Sequence, residues 1–312
     1  MYDTRFIKAV VFLSSVVASL VVPGCVFAFS TFSVGGNAST ASIQATVDAF
    51  RAALGNPNNG NAAGPLASGR REINWDGGGP PVDANAPGGT PFNVFLNTRG
   101  GQFTTPGTGF LQGPPSGGAD GGFNGFFNNP TLGDIFGVFS PNRIFSPVES
   151  NVTDGFFFIP GTNGLQPATV SAFGAVSTDV DLANTTSIQF FDTSNNLITN
   201  QFVPVGTVPD KSLSFFGLIG NADKQIARVR ITTGNAPISS TSRDGGLVDL
   251  VAMDDFIYAE PKSVPDSGGI GLLGIRTGFR SPLLPPFRAS FLKAKYVCEM
   301  VAVEEGQPAS PK

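Results

Sequence analysis

The sequence predicts a mainly β protein, a two-sheet sandwich of jelly-roll-like type with one N-terminal amphipathic helix and long Gly/Pro-rich loops. Three observations predict it. Gly (40) and Pro (25) are abundant, charged residues make up only 13%, and Phe (29) far outnumbers Tyr (3) and Trp (1). Such a chain puts its apolar mass into rings and its changes of direction into turns. From Ile135 onward, short apolar runs recur at roughly ten-residue spacing between Gly, Pro, Asn or Asp, the rhythm of a sandwich or jelly roll. Only one stretch carries a helical period.

The first 28 residues read as an export signal. Arg5 and Lys8 precede an apolar run of fourteen residues, Ala9 to Val22, which Pro23-Gly24 interrupts. Val26 and Ala28 then offer small residues for cleavage before Phe29. Fourteen residues fall short of the about twenty that span a bilayer. A retained anchor and a lipoprotein signal at Cys25 are the alternative readings of this segment. The helix follows: Ile43, Val47, Phe50 and Leu54 fall on one face, Ser39 or Thr40 caps its start, and Gly55-Asn56-Pro57 stops it. Its small, weakly charged other face suits it to lie on a sheet.

Arg70 to Asp76 alternates Ile73 and Trp75 against Glu72, Asn74 and Asp76, the pattern of a half-buried strand. Gly77 to about Asn129 reads as long loops folded over a sandwich edge. Strands are then expected at Ile135–Phe139, Ile144–Phe145, Phe156–Ile159, Thr169–Val180, Ser187–Asp192, Leu197–Val203, Ser212–Ile219, Gln225–Thr232 and Leu247–Tyr258, with a hairpin turn at Asp192–Asn196. The partition expected is a signal (1–28), one sandwich domain (29–261, with a loop-rich half to 134 and a strand-dense half from 135) and a disordered tail (262–312).

Composition excludes much chemistry. The chain has no histidine, which removes His triads, imidazole bases and His-containing zinc or iron sites. Its cysteines are Cys25 and Cys298, so the body between has no disulfide frame and no thiol nucleophile. Between Phe29 and Glu260 stand ten Lys/Arg and eighteen Asp/Glu, a net of −8. Nucleic-acid binding, which needs clustered basic residues, is not expected. Divalent cations and neutral sugars suit such a surface better.

The series Phe173-Gly174-Ala175-Val176, Asp179-Val180-Asp181, Phe190-Phe191-Asp192, Leu213-Ser214-Phe215, Ile226-Ala227-Arg228-Val229 and Met253-Asp254-Asp255-Phe256 resembles a family of exported bacterial β-sandwich proteins of uncharacterised function. Their chains often end in a PEP-CTERM-type sorting signal. Val264, Pro265, Asp266, Ser267 and Gly268 are similar to the VPDSG variant of that signal. The resemblance implies export, recognition of the tail by an exosortase-like sorting enzyme, and delivery to the cell surface or extracellular matrix. The tail departs from the pattern, because Ile270 to Ile275 is too short for a membrane helix before Arg276 and a run of prolines. A shift of reading frame near 271–276 and a natural solvated tail both account for it, and no stable transmembrane anchor is expected.

Carboxylates are the remaining candidates for chemistry. Asp179 and Asp181, two apart on a strand, should point from one face. In the last strand Asp254 stands in the row Val248, Leu250, Ala252, Phe256 and Tyr258, and Asp255 in the row Asp249, Val251, Met253 and Ile257. A carboxylate in an apolar row needs a partner. A calcium ion held by Asp179, Asp181, Asp254, Asp255 and loop carbonyls would supply one; Arg228, Arg230 or turn amides are the alternative partners. Glu72 and Asp76 around Trp75 form the minimum inventory of a glycosidase, but four residues along a strand set them about 13 Å apart. The Gly runs at 77–79 and 117–122 are read as lacking a following helix or lysine, and so as flexible turns and not phosphate loops. The function expected is a secreted, non-catalytic structural or adhesive sandwich of the envelope or matrix. A calcium-assisted module binding extracellular polysaccharide, with Trp75 or Tyr258 as the sugar platform, is the second reading, and a carboxylate glycoside hydrolase the third.

Overall fold

Burial on both faces decides which strands stand at the centre. In the computed structural model, which describes residues 29–220 and 225–264, the chain is mainly β, with fifteen strands and four helices among those residues. The cleavage site expected before Phe29, Cys25, Cys298 and the tail from Pro265 lie outside the described residues. After β1 (Ser30–Gly35) comes α1 (Ala41–Leu54), then β2 (Arg70–Ile73), β3 (Ala86–Gly88), α2 (Leu96–Arg99), β4 (Gly101–Thr104) and β5 (Gly109–Gly113). Two short helices, α3 (Gly122–Phe127) and α4 (Leu132–Ile135), lead to β6 (Ile144–Val148), β7 (Val152–Phe157), β8 (Ala168–Thr169) and β9 (Ala172–Thr178). The chain continues through β10 (Ser187–Phe191), β11 (Leu197–Phe202), β12 (Leu213–Ile219), β13 (Arg228–Thr232), β14 (Ala252–Ala259) and β15 (Lys262–Ser263).

One sheet runs β1-β12-β9-β14-β6-β5-β3, with β2 also paired to β14; the second runs β11-β10-β13-β7-β4; β15 and β8 form a small ribbon. All of these strand pairings are antiparallel. Between the two large sheets lies the main core, where Phe173, Phe216, Phe256 and Tyr258 meet Phe103, Phe157, Phe190, Val229 and Ile231. The opposite face of β9, β12 and β14 is apolar too (Ala172, Val176, Phe215, Ile257) and is covered by Ile43, Val47 and Phe50 of α1. Strands buried on both faces read as near-continuous apolar runs, as AFGAV and LSFFGLI do.

Several boundaries differ from the sequence expectation. The strand expected at Ile135–Phe139 is instead the end of α4 and irregular chain. Thr169–Val180 is divided between β8 and β9, and the last strand begins at Ala252 rather than Leu247. Thr40 stands at the start of α1 without a side-chain capping bond; the Asn37 carbonyl oxygen of the side chain instead accepts the Ser39 N–H at 2.8 Å. The stretch 77–129 is not simply loops over an edge. β4 pairs with β7, and β5 with β6, so this half is woven into both sheets. The expected hairpin does join β10 to β11, its turn tied by Asp192 Oδ1 accepting the N–H groups of Ser194 and Asn196. Among the described residues no helix is long and apolar enough to cross a membrane.

Candidate metal centre

Three crossovers between the large sheets meet at one end of the sandwich. They join β9 to β10, β11 to β12 and β13 to β14, and the register aligns their ends: Thr178 faces Leu213 and Ala252, while Ser187 faces Phe202 and Thr232. Each crossover brings acids. Asp179 and Asp181 come from the first, Asp210 from the second, Asp244 and Asp249 from the third.

One carboxylate oxygen each from Asp179, Asp181 and Asp244 lies within 4.8 Å of the others. Asp179 is 0% exposed. Its Oδ1 accepts the Lys211 N–H at 3.1 Å, whereas Oδ2 is buried and has no hydrogen-bond partner. Burial first, and then the Asp181 and Asp244 charges, push the Asp179 carboxyl up to about 9. Asp181 is half-buried and is raised to about 6 by burial and by Asp244 and Asp249. Asp244 is also raised, chiefly by burial, although its Oδ1 accepts the Leu250 N–H at 2.8 Å. Asp249 does different work. Its two oxygens accept the Asp181 N–H and the Thr185 hydroxyl, which fixes the loop that presents Asp181. Among the described residues no Lys or Arg forms an ion pair with any of these acids. Uncompensated carboxylates this close either hold protons or share a cation.

Asp254 and Asp255 do not join that trio; Asp244 stands there instead. A bulge between Met253 and Phe256 shifts the register of β14 against β9. Met253 and Phe256 therefore both face the main core, and the strict alternation expected along this strand fails. The Asp254 carboxylate accepts the Phe139 N–H at 2.6 Å and the Ser140 N–H at 3.4 Å, and Ser140 Oγ lies 2.5 Å from Asp255 and 3.1 Å from Asp254. Arg51, from the last turn of α1, bridges Asp255 and Glu72 at 3.3 and 2.9 Å. Burial raises both aspartates. Arg228 and Arg230, the alternative partners, both pair with Asp154.

The glycosidase inventory is dispersed into structural work. Glu72 is held by Arg51 and Arg70, and Asp76 Oδ1 accepts the N–H groups of Asn142 and Arg143. Trp75 and Tyr258 are both 0% exposed, so neither presents a sugar platform. The signal that could have found Asp244 is its place in SRDGG, an acid at a glycine turn; nothing local says which loop it meets. Comparison with protein-family models, curated proteins and solved structures gives no match. The geometry stands alone.

Proposed function

We propose that the chain is an exported, non-catalytic β-sandwich of the cell envelope or extracellular matrix, structural or adhesive in role, and that one calcium ion staples the β9–β10 crossover to the β13–β14 crossover. The observation that carries the reading is Asp179, a fully buried carboxylate with one unpartnered oxygen set against two further acids. An all-oxygen donor set without histidine or thiolate suits a hard cation. Ligands carried on two separate loops suit the flexible, higher coordination of calcium better than the strict octahedron of magnesium. Extracellular calcium modules work at constants of about 10⁻⁴–10⁻³ M, which agrees with the export reading of residues 1–28 and the cysteine-free body. An exosortase-like enzyme acting on Val264–Gly268 is part of the same proposal. The acids outside the crossover cluster support the non-catalytic part, since arginines or backbone amides already engage Glu72, Asp154, Asp254 and Glu260.

Thermal unfolding of the full chain in calcium and in EGTA tests the staple. Calcium at a hundred times its dissociation constant should add about 2.7 kcal/mol by mass action, a midpoint rise of roughly 5–10 °C for a domain of this size. Asp179→Asn should abolish the rise while stabilising the cation-free protein, because it removes a carboxyl that must take up a proton to be buried. An unchanged midpoint in calcium would sink the proposal. Finding the chain in the cytosol rather than at the cell surface or in the medium would sink the export part.

A further inference from the structure

Beside the aspartate trio the crossovers leave an open pocket of about 460 Å³, walled by Asp181, Val205, Thr207, Gly245, Gly246 and Val248 among others. Its volume falls within the about 300–1,000 Å³ of small-molecule sites. We infer that this pocket takes a neutral polyhydroxyl ligand, one saccharide unit, whose adjacent hydroxyls complete the coordination of the cation on Asp179, Asp181 and Asp244. The inference rests on the calcium reading above and names the ligand of that same site.

Asp181 belongs both to the trio and to the pocket wall, so the pocket and the cation share a side chain. Burial runs one way: Asp179 is sealed, while Asp181 and Asp244 are half-exposed. A cation there keeps its inner side on protein and its outer side open. Calcium takes six to eight oxygens, more than three carboxylates offer without strain, and the outer positions fall to solvent or ligand.

Charge selects among ligands. Asp210 and Asp249 act on the trio as well, and none of the residues walling the pocket is Lys or Arg. A divalent ion leaves the five acids net negative when ionised, so a carboxylated or phosphorylated ligand meets repulsion and nothing to offset it. Hydroxyl oxygens coordinate without adding charge. Apart from Asp181 and Thr207 the walls are glycine, proline and aliphatic side chains, Leu182, Val205, Val208 and Val248, of which Val205 is 36% exposed. These give the C–H face of a sugar ring an apolar surface. A Cβ built at Gly245 or Gly246 would meet nothing within 4 Å, so the mouth is open on that side.

The test is a saturation-transfer NMR titration of the full chain, after calorimetry with calcium alone has established whether the ion binds. The probes are the methyl glycosides of mannose, galactose, glucose and fucose, each in calcium and in EGTA. At least one should bind in calcium, and about tenfold or more weakly in EGTA, a difference of about 1.4 kcal/mol. Thr207→Trp, which fills the pocket from an exposed position, should lose the glycoside and keep the calcium-induced rise in midpoint. Asp179→Asn should lose both. Calcium binding with no glycoside signal overturns this inference and leaves the staple intact. Glycoside binding that survives EGTA or Thr207→Trp also overturns it, because the sugar would then sit elsewhere. Absence of calcium binding overturns both.

Discussion

Trp75 holds a backbone φ of 64°, a conformation in which a bulky aromatic is an outlier and which costs about 1–3 kcal/mol. Its side chain offsets that cost. The indole stacks on Phe145 with ring centroids 3.7 Å apart, meets Phe95, Phe103 and Phe256 edge-on, and donates its Nε1–H to the Asp254 carbonyl at 2.8 Å. Trp75→Ala should therefore cost about 3–5 kcal/mol, read from urea unfolding followed by circular dichroism. As the sole tryptophan, Trp75 should also emit as a buried indole in the wild type and shift to the red in one cooperative step. Arg71 and Glu260 form the most enclosed ion pair among the described residues, with contacts of 2.6 and 2.8 Å and side chains 0% and 2% exposed. Removing one partner strands a charge. Arg71→Met alone should cost about 3–5 kcal/mol, and Arg71→Met with Glu260→Gln distinctly less, a difference that the double-mutant cycle measures.

Helix α1 sits on its sheet through a dent made for one ring. Gly174 of β9 and Gly217 of β12 are paired across the strands, and a Cβ at either would lie 2.9 or 2.8 Å from Phe50. Gly217→Leu should cost about 1–3 kcal/mol by overpacking. Phe50→Ala in that background should cost less than Phe50→Ala alone, because the new side chain occupies the vacated space. Equal costs in both backgrounds would show that the two sites are independent. The period of α1 is written in its sequence, since Ile43, Val47 and Phe50 are all buried. Other elements leave fainter traces. β4 and β5 are short, glycine-edged segments within a turn-rich stretch, and they extend only because β7 and β6 are there to pair with. The β14 bulge inserts a residue that no residue type announces, so a strict period of two places Asp254 in the wrong row.

Across the whole molecule, the raised carboxyls set the response to pH. Asp179 and Asp181 ionise near 4 when unfolded but only near 9 and 6 when folded. The folded state thus holds protons that the unfolded chain has lost, and stability in EGTA should fall as pH rises from about 5 to 8. Asp254 and Asp255 are displaced in the same direction and add to it. Glu260 is lowered, so its contribution is lost only below about pH 4, outside that window. Calcium binds the ionised form, so the stabilisation it adds should grow as pH rises, and Asp179→Asn should flatten the slope above pH 6. Urea midpoints at pH 5, 6, 7 and 8, with and without calcium, check both trends; a slope of opposite sign in EGTA would contradict the burial of Asp179.

By itself the sequence determined the fold class, because turn residues, apolar rhythm and the scarcity of charge are local quantities summed along the chain. It also determined which chemistries are absent, since no arrangement of 312 residues without histidine makes an imidazole. It named two of the three clustered acids, Asp179 and Asp181. Only the tertiary structure chose the third, Asp244 over Asp254 and Asp255, because loops about 65 residues apart meet where three crossovers converge. It also buried Trp75 and Tyr258 and gave Glu72 to Arg51. Which faces meet depends on strand order and on a single bulge, and neither is encoded at the residues that they bring together.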